Sequence, residues 1–306
     1  MSIRFDDQVV IVTGSGNGLG KSHALEFARR GARVVVNDLG GTLDGSGAGS
    51  DSAREVVAQI EAEGGEAIAN GANVTDYAQV EAMVAEAIDK WGRVDVLVNN
   101  AGILRDKTFG KMDLADFAAV VDVHLNGAVN CTKAVWNQMC EQEYGRIVLT
   151  SSSSGIYGNF GQTNYGAAKM GLVGFMNALW LEGQKYGIKV NALSPIAATR
   201  MTENLIPEHI LAMLEPEAVT PAVIFMASED APNRQIIAAG AGVYARVVIA
   251  ETPGIFLPED QRDAEHVAAG WEQIAATEGQ VELQVGSEQT TKHIGKVAEA
   301  LGVKFD

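Results

Sequence analysis

Cysteine is scarce in this 306-residue chain: there are 2, Cys131 and Cys140, too few for a disulfide framework. Both fall in or beside a predicted helix, so they read as reduced packing residues of a cytoplasmic protein. Basic residues are outnumbered, with 23 Lys and Arg against 39 Asp and Glu and a formal charge of -16. That deficit argues against a nucleic-acid-binding surface and, more weakly, against an anionic membrane; any phosphate has to be held by local groups. No apolar run reaches the ~18 residues of a membrane span. The start, Met1-Ser2-Ile3-Arg4-Phe5-Asp6, lacks the basic-then-apolar build of a signal peptide. The 5 His are scattered without metal-ligand spacing, so no metal is expected. His124 alone lies near a motif, and it reads as a packing residue.

What the chain does have is core: 47% of its residues are hydrophobic, enough for one large α/β domain. Gln8 to Thr13 is a short β-branched run, a strand buried on both faces. It leads into Gly14-Ser15-Gly16-Asn17-Gly18-Leu19-Gly20 and then a helical pattern closed by Gly31. Strand, glycine turn and helix together let backbone N–H groups approach a pyrophosphate at a helix N-terminus. A second strand, Arg33 to Asp38, puts Asp38 where an acid grips the adenosine ribose hydroxyls and repels a 2′-phosphate, which predicts NAD. Ala67 to Ala69 forms a weak third strand, with Asn73-Val74 following where adenine would lie. A helix over Tyr77–Trp91 precedes the strand Val94 to Val98, which meets Asn99-Asn100-Ala101-Gly102. A helix near 114–138 contains Asn126-Gly127, a pair that costs helix stability and predicts a kink. Strand Arg146 to Thr150 then delivers Ser151 to Ser154. The alternation predicts a Rossmann-type doubly wound parallel sheet of about seven strands, order 3-2-1-4-5-6-7, with helices on both faces.

Tyr165 and Lys169 are four residues apart in a helical stretch, so they share one face. An ammonium beside a phenol favours the phenolate and brings it towards useful acid/base chemistry. The same spacing also suits a half-buried tyrosine packed against a snorkelling lysine. The rest of the chain has to decide between the two.

Thr13-Gly14-x-x-x-Gly18-x-Gly20, Asn99-Asn100-Ala101-Gly102, Asn126, Ser152 and Tyr165-x-x-x-Lys169 occur in order, and in this pattern the chain resembles the short-chain dehydrogenase/reductase family. The resemblance implies that Tyr165 is the general acid/base and that Ser152 hydrogen-bonds the reacting oxygen. It implies that Lys169 binds the nicotinamide ribose and lowers the Tyr165 pKa, and that Asn126 positions a water in a proton relay. It further implies that Gly14, Ser15, Asn17, Gly18, Leu19, Gly20, Asp38, Asn73, Val74, Asn100, Ala101 and Gly102 border NAD. Tyr165, Lys169, Pro195, Ala197, Ala198 and Thr199 would complete that border. Asn73 stands where many members carry Asp. Pro195-Ile196 replaces the usual Pro-Gly, and the segment to Thr199 is one residue short.

Val34 to Gly41, Asn100 to Asp106, Gly155 to Gln162, Thr199 to Thr202 and Gly240 to Tyr244 are similar to the (3R)-hydroxyacyl-CoA dehydrogenase part of peroxisomal multifunctional enzymes of type 2. That narrower resemblance implies oxidation of (3R)-3-hydroxyacyl-CoA thioesters with NAD. Arg105 and Lys107 are candidates for a CoA phosphate. Ile156, Tyr157, Phe160, Met201 and Leu205 are expected either to line an apolar substrate cleft or to pack the core. A reductase of 3-oxoacyl-carrier-protein, an oxidoreductase of steroid or terpenoid alcohols, and a non-catalytic NAD(H) sensor are the alternatives. The family pattern implies a homodimer or homotetramer through helices near 114–138 and 165–185. Residues 1–257 are expected to form the catalytic domain and 258–306 a helical extension. Helices over 259–276 and 287–301 and a strand Val281 to Val285 are expected there, covering the site or a partner subunit, or simply lying on the surface.

Overall fold

Strand β1 (Val9–Thr13) is buried along its whole length and lies inside the sheet, as its unbroken β-branched run requires. In this computed structural model, which describes residues 2–42, 44, 45, 47, 49, 51–197 and 213–304, β1 pairs in parallel with β2 (Arg33–Asn37) on one side. On the other side it pairs with β4 (Val96–Asn99). The strand order is β3-β2-β1-β4-β5-β6-β7-β8. Here β3 is Glu66–Asn70, β5 Gly145–Thr150, β6 Ile188–Pro195, β7 Ile236–Gly240 and β8 Val243–Val247. Chain order reverses between β1 and β4, the switch point at whose carboxyl ends such sheets bind ligands.

Helices α1 (Gly18–Arg29), α2 (Asp51–Ala62) and α3 (Tyr77–Trp91) connect the first four strands. Val10, Val12, Val34, Val36, Val96 and Val98 form one side of the core with Phe27 and Ile60. Phe5 closes it edge-on to Phe27, ring centroids 4.9 Å apart. The helix start at Tyr77 is fixed by Asp76, whose carboxylate accepts from the N–H groups of Ala78 and Gln79.

Two features depart from the sequence expectation. An eighth strand follows the expected seven: Ala241 and Gly242, both at positive φ, make a two-residue turn, and a connection that short makes β8 antiparallel to β7. Four of the five β8 residues are exposed, so no alternating burial marks the strand in the sequence. The helix expected near 114–138 is instead α4 (Leu114–Val121), a π-helical turn over Asp122–Asn126, and α5 (Gly127–Gln142). The kink predicted at Asn126-Gly127 is this widened turn, a feature frequent at functional sites.

The chain clusters into two units, Met1–Arg246 and Val247–Asp306. Within the second, the helix expected over 259–276 is broken at Gly270 into Ala264–Ala269 and Trp271–Ile274. The strand expected over Val281 to Val285 is reduced to a single antiparallel bridge between Glu251 and Val281. A last helix, Gly286–Leu301, is tied back by the 2.5 Å ion pair of Lys292 with Glu251.

Candidate active site

A cavity of about 410 Å³ opens at the carboxyl ends of the central strands, within the first unit. Gly14, Asn17, Gly18 and Leu19 line it where β1 turns into α1, and Asp38 and Asn73 line it after β2 and β3. The turn is held open by backbone geometry. Gly14 sits at φ +63, and a Cβ there would meet Ala101 Cα at 2.8 Å. At Gly20 a Cβ would meet the Gly14 carbonyl oxygen at 2.3 Å. Asn17 precedes the first turn of α1 without capping it, and that turn carries no acidic side chain, so its N–H groups remain available to an anion. Asp38 braces the same turn: one carboxylate oxygen accepts from Gly16 N–H at 2.8 Å, the other from Gly40 N–H at 2.7 Å. Asn100 joins this end to β4, its amide donating to the carbonyls of Thr13 and Gly14 at 2.9 and 3.0 Å. These groups fit a dinucleotide: backbone donors for a pyrophosphate, a carboxylate for ribose hydroxyls, and Val74 against a flat ring.

The other end of the cavity is formed by side chains. After β5 the backbone is extended at Ser152, whose oxygen accepts from Ser154 N–H to start the short helix α6 (Ser153–Ile156). Helix α7 (Thr163–Gly183) carries Tyr165 and Lys169 on one face, with the ammonium 5.5 Å above the phenol ring centroid. The Ser152 hydroxyl stands near enough to the Tyr165 phenol to lower its pKa. The neighbouring Ser151 is committed elsewhere, donating to the Lys169 carbonyl at 2.8 Å. Lys169 Nζ donates to the Thr150 carbonyl at 2.5 Å, and burial lowers its pKa to about 7. Burial pushes the Tyr165 phenol up; the Ser152 hydroxyl opposes that shift and the Asp106 carboxylate adds to it. The downward pull expected from Lys169 is therefore not what sets the phenol.

His124 was read from the sequence as a packing residue. It lies in the π-helical turn, only 3% exposed, and lines the cavity. Its ring stands edge-on to Tyr165 at 5.0 Å, and its Nε2 is 2.8 Å from the Ile103 carbonyl oxygen and 3.1 Å from Ile103 N. Gly102 makes room for it, since a Cβ there would meet His124 Cε1 at 2.2 Å. Burial above all, then the Lys169 charge, holds the imidazole well below its ordinary pKa, against the hydrogen bond to Ile103. A signal was available in the spacing. Val120, His124, Ala128, Cys131, Val135 and Met139 form the buried stripe of this helical stretch, and Asn126 falls off it.

Asn126, expected to hold a relay water, is exposed and donates to Asp122 Oδ1 at 3.0 Å. The widened turn brings His124 to the cavity in its place. Ser15, expected at the pyrophosphate, is fully buried with its hydroxyl donated to the Val12 carbonyl at 2.7 Å, so it supports the turn from behind. Gly20 and Ala197 likewise fall outside the cavity lining, whereas Val74, Ala101, Gly102 and Pro195 are in it. Of the expected substrate residues, Tyr157 is 73% and Phe160 88% exposed, and neither they nor Ile156 line this cavity. Gly158 and Gly161 turn that loop outwards at φ +85 and +81. Ala198, Thr199, Met201 and Leu205 lie outside the described residues. Arg105 and Lys107 are both paired with Asp116, at 3.2 and 2.9 Å.

Among the described residues no helix is long and apolar enough to cross a membrane. Residues 8–209 match the family model for short chain dehydrogenases. The mouse peroxisomal multifunctional enzyme type 2 is 46% identical over 89% of this chain, which spans 37% of that protein. The solved full-length peroxisomal multifunctional enzyme type 2 of Drosophila melanogaster superposes with a TM-score of 0.81 at 36% identity, over 98% of this chain and 51% of that one. A 7α-hydroxysteroid dehydrogenase complexed with NADH and 7-oxo glycochenodeoxycholic acid gives a TM-score of 0.70 at 29% identity, over 78% of this chain and 95% of that one. Matched over more than half its length and folded alike, the chain belongs to the short-chain dehydrogenase/reductase family, oxidoreductases that work with a nicotinamide cofactor.

Proposed function

We propose that the protein is an NAD-dependent dehydrogenase of (3R)-3-hydroxyacyl-CoA thioesters. One observation carries the chemistry: Tyr165 and Lys169 stand at one end of a cavity whose other end is the glycine turn and Asp38. The substrate class is supported by the similarity to multifunctional enzymes of type 2, and the choice of NAD by the carboxylate of Asp38 beside the turn. The same reading makes residues 1–257 the catalytic domain and 258–306 an extension. The protein is then a cytoplasmic homo-oligomer.

When bound, the nicotinamide supplies the hydride acceptor. Ser152 and Tyr165 hold the substrate oxygen between two hydroxyls. In oxidation the ionised Tyr165 oxygen takes the hydroxyl proton while the carbinol C–H bond breaks and its electron pair leaves with the hydride. In reduction the protonated phenol, favoured by burial, donates to the developing alkoxide. Lys169 and the Gly14–Gly20 turn bind and orient. Arg105 and Lys107 have to exchange Asp116 for a CoA phosphate if they contact it.

The test is a panel at fixed NAD, with NADP alongside: 3-hydroxyacyl-CoA esters of several lengths, both stereoisomers, and free secondary alcohols. The expected result is turnover of the (3R) esters with NAD. Turnover of free alcohols alone would replace the substrate assignment. Tyr165→Phe is expected to keep fold and NAD affinity and to lose ~10²–10⁴-fold in kcat. A near-normal rate in that variant removes Tyr165 from the mechanism.

A further inference from the structure

The loop that follows β4 is stitched to the start of α7 at three points. Lys107 N–H donates to the Gly161 carbonyl at 3.0 Å. The Asn164 amide donates to the Arg105 carbonyl at 3.0 Å, and the Gln162 amide to Asp106 Oδ2 at 2.6 Å. Asn159 donates to the oxygen of the same Gln162 amide at 3.1 Å, which fixes how that amide is turned. Gln162 and Asn164 are buried, while Asp106 is exposed. Tyr165 follows directly, and its N–H donates to Asn164 Oδ1 at 2.8 Å. Gln162 occupies the cap position of α7, where Ser, Thr, Asp or Asn would satisfy a free N–H of the first turn. Its side chain makes no such bond, and the first turn holds no acid of its own. A 21-residue helix that gives up its cap to reach another loop breaks a local rule, and such breaks collect at functional sites.

We propose that Asp106 and Gln162 are positioning residues for this reaction: the bond between them holds the first turn of α7 against the loop after β4 and so fixes where the Tyr165 oxygen stands. This rests on the reading of Tyr165 as the acid/base. Tyr165 is the third residue of α7, so a first turn that frays or rotates carries the phenol with it. A misplacement of ~1 Å costs a positioned reacting group up to ~10²-fold. Without the Asp106 carboxylate the buried Gln162 amide loses its acceptor, a loss that asparagine at 106 avoids and alanine does not. The carboxylate also brings a charge. Tyr165 is faced by Lys169 from its own helix, by His124 from the π-helical turn, by the Ser152 hydroxyl after β5 and by Asp106 from the loop after β4. Burial keeps His124 neutral, and the Arg105 and Lys107 cations beside Asp106 are paired with Asp116. Asp106 is the acid that adds to the upward shift of the phenol, so removing its charge favours the ionised form and moves the limb of the base to lower pH. Tether and charge are thus two separable effects of one side chain on Tyr165.

The test compares Gln162→Met, Asp106→Ala and Asp106→Asn with the wild type, as kcat against pH on whichever substrate it oxidises. Gln162→Met keeps the side-chain length and the Asp106 charge and removes the donor. It is expected to lower kcat ~10-fold, with the KM for NAD within about twofold and no downward move of the profile. Asp106→Ala loses tether and charge together, so a similar fall is expected with the base limb displaced to lower pH. Asp106→Asn is expected to recover most of the alanine loss and to keep the displacement. Lys169 titrates at about 7 in every variant, so a displacement relative to the wild type reports the Asp106 charge. A merely structural role would lower the unfolding midpoint and leave kcat and its profile at wild-type values. A wild-type kcat in Gln162→Met, an equal loss in Asp106→Asn and Asp106→Ala, or a profile unmoved in both Asp106 variants overturns the proposal. Should Gln162→Met fail to fold, the two Asp106 variants still decide. A wild-type rate in these variants beside an inactive Tyr165→Phe removes only the tether, whereas an active Tyr165→Phe removes the reading beneath it.

Discussion

The two ends of the cavity are built from different materials. At the glycine turn the groups that face a ligand are backbone N–H donors, and the side chains around them are absent, small, or engaged in bracing the loop. At the Tyr165 end they are buried side chains whose protonation is set by burial, with Lys169 lowered to about 7 and Tyr165 raised. The first end needs only shape, so it can be rigid and chemically inert. The second has to exchange protons, so it tolerates a buried amine whose pKa is lowered to about 7. Damage to the first end should abolish binding and cost stability. Damage to the second should cost turnover and, at one residue, increase stability.

Gly20→Val should have the largest effect and tests the first half of that contrast. The new Cβ would lie 2.3 Å from the Gly14 carbonyl oxygen and 2.8 Å from Ser15 Cα, both backbone atoms that cannot step aside without moving the turn. We expect a loss of roughly 1–3 kcal/mol in stability, as for other overpacked sites. NAD binding should be lost with it, read by calorimetric titration and by the unfolding midpoint. Wild-type NAD affinity in this variant would mean that the turn yields freely and that the contrast is wrong.

Lys169→Met tests the second half. Burial lowers the pKa of the Lys169 amine to about 7 in the folded protein, against its ordinary 10.5 in the unfolded chain. Between those values the unfolded chain binds more protons, so stability rises with pH across that window, is lowest below pH 7 and is flat above 10.5. Methionine removes the desolvation penalty but leaves the Thr150 carbonyl without its donor, which costs part of the gain back. The expected net is a stabilisation of ~1–4 kcal/mol near pH 6, shrinking at pH 8 and absent above 10.5, together with loss of turnover. Denaturant unfolding at those three pH values measures it. An unchanged pH slope would show that the amine is not buried as described.

The same division explains what the sequence revealed. The glycine turn, Asp38, the parallel strand order and the Tyr165–Lys169 face were legible because each depends on local spacing: a strand running into glycines, an acid at a strand end, a four-residue helical step. Asn126 was put forward by the family pattern, and its spacing within 114–138 could not show that a π-helical turn there brings His124 rather than Asn126 to the cavity wall. The direction of the Tyr165 shift was hidden for another reason. Proximity of a lysine can be read from spacing, but the burial that weakens that lysine is a property of the assembled fold. Strand β8 was missed because its exposed side chains leave no periodic signal.

The smallest expected effect comes from the residue that the family pattern put forward. Asn126 is exposed, and among the described residues its side chain hydrogen-bonds Asp122 at 3.0 Å, four residues back on the same helical stretch. An exposed bond of this kind is worth a few tenths of a kcal/mol, so Asn126→Ala should shift stability by no more than about 0.5 kcal/mol. It should also leave kcat within about twofold, because Asn126 itself does not line the cavity and reaches it only through the Asp122 carboxylate. A loss of ten- to a hundredfold in kcat, with the unfolding midpoint unchanged, would instead return the water-holding role to Asn126. The π-helical turn would then have to relax to regular pitch when substrate binds, and the asymmetry between the two ends of the cavity would be a property of the resting protein only.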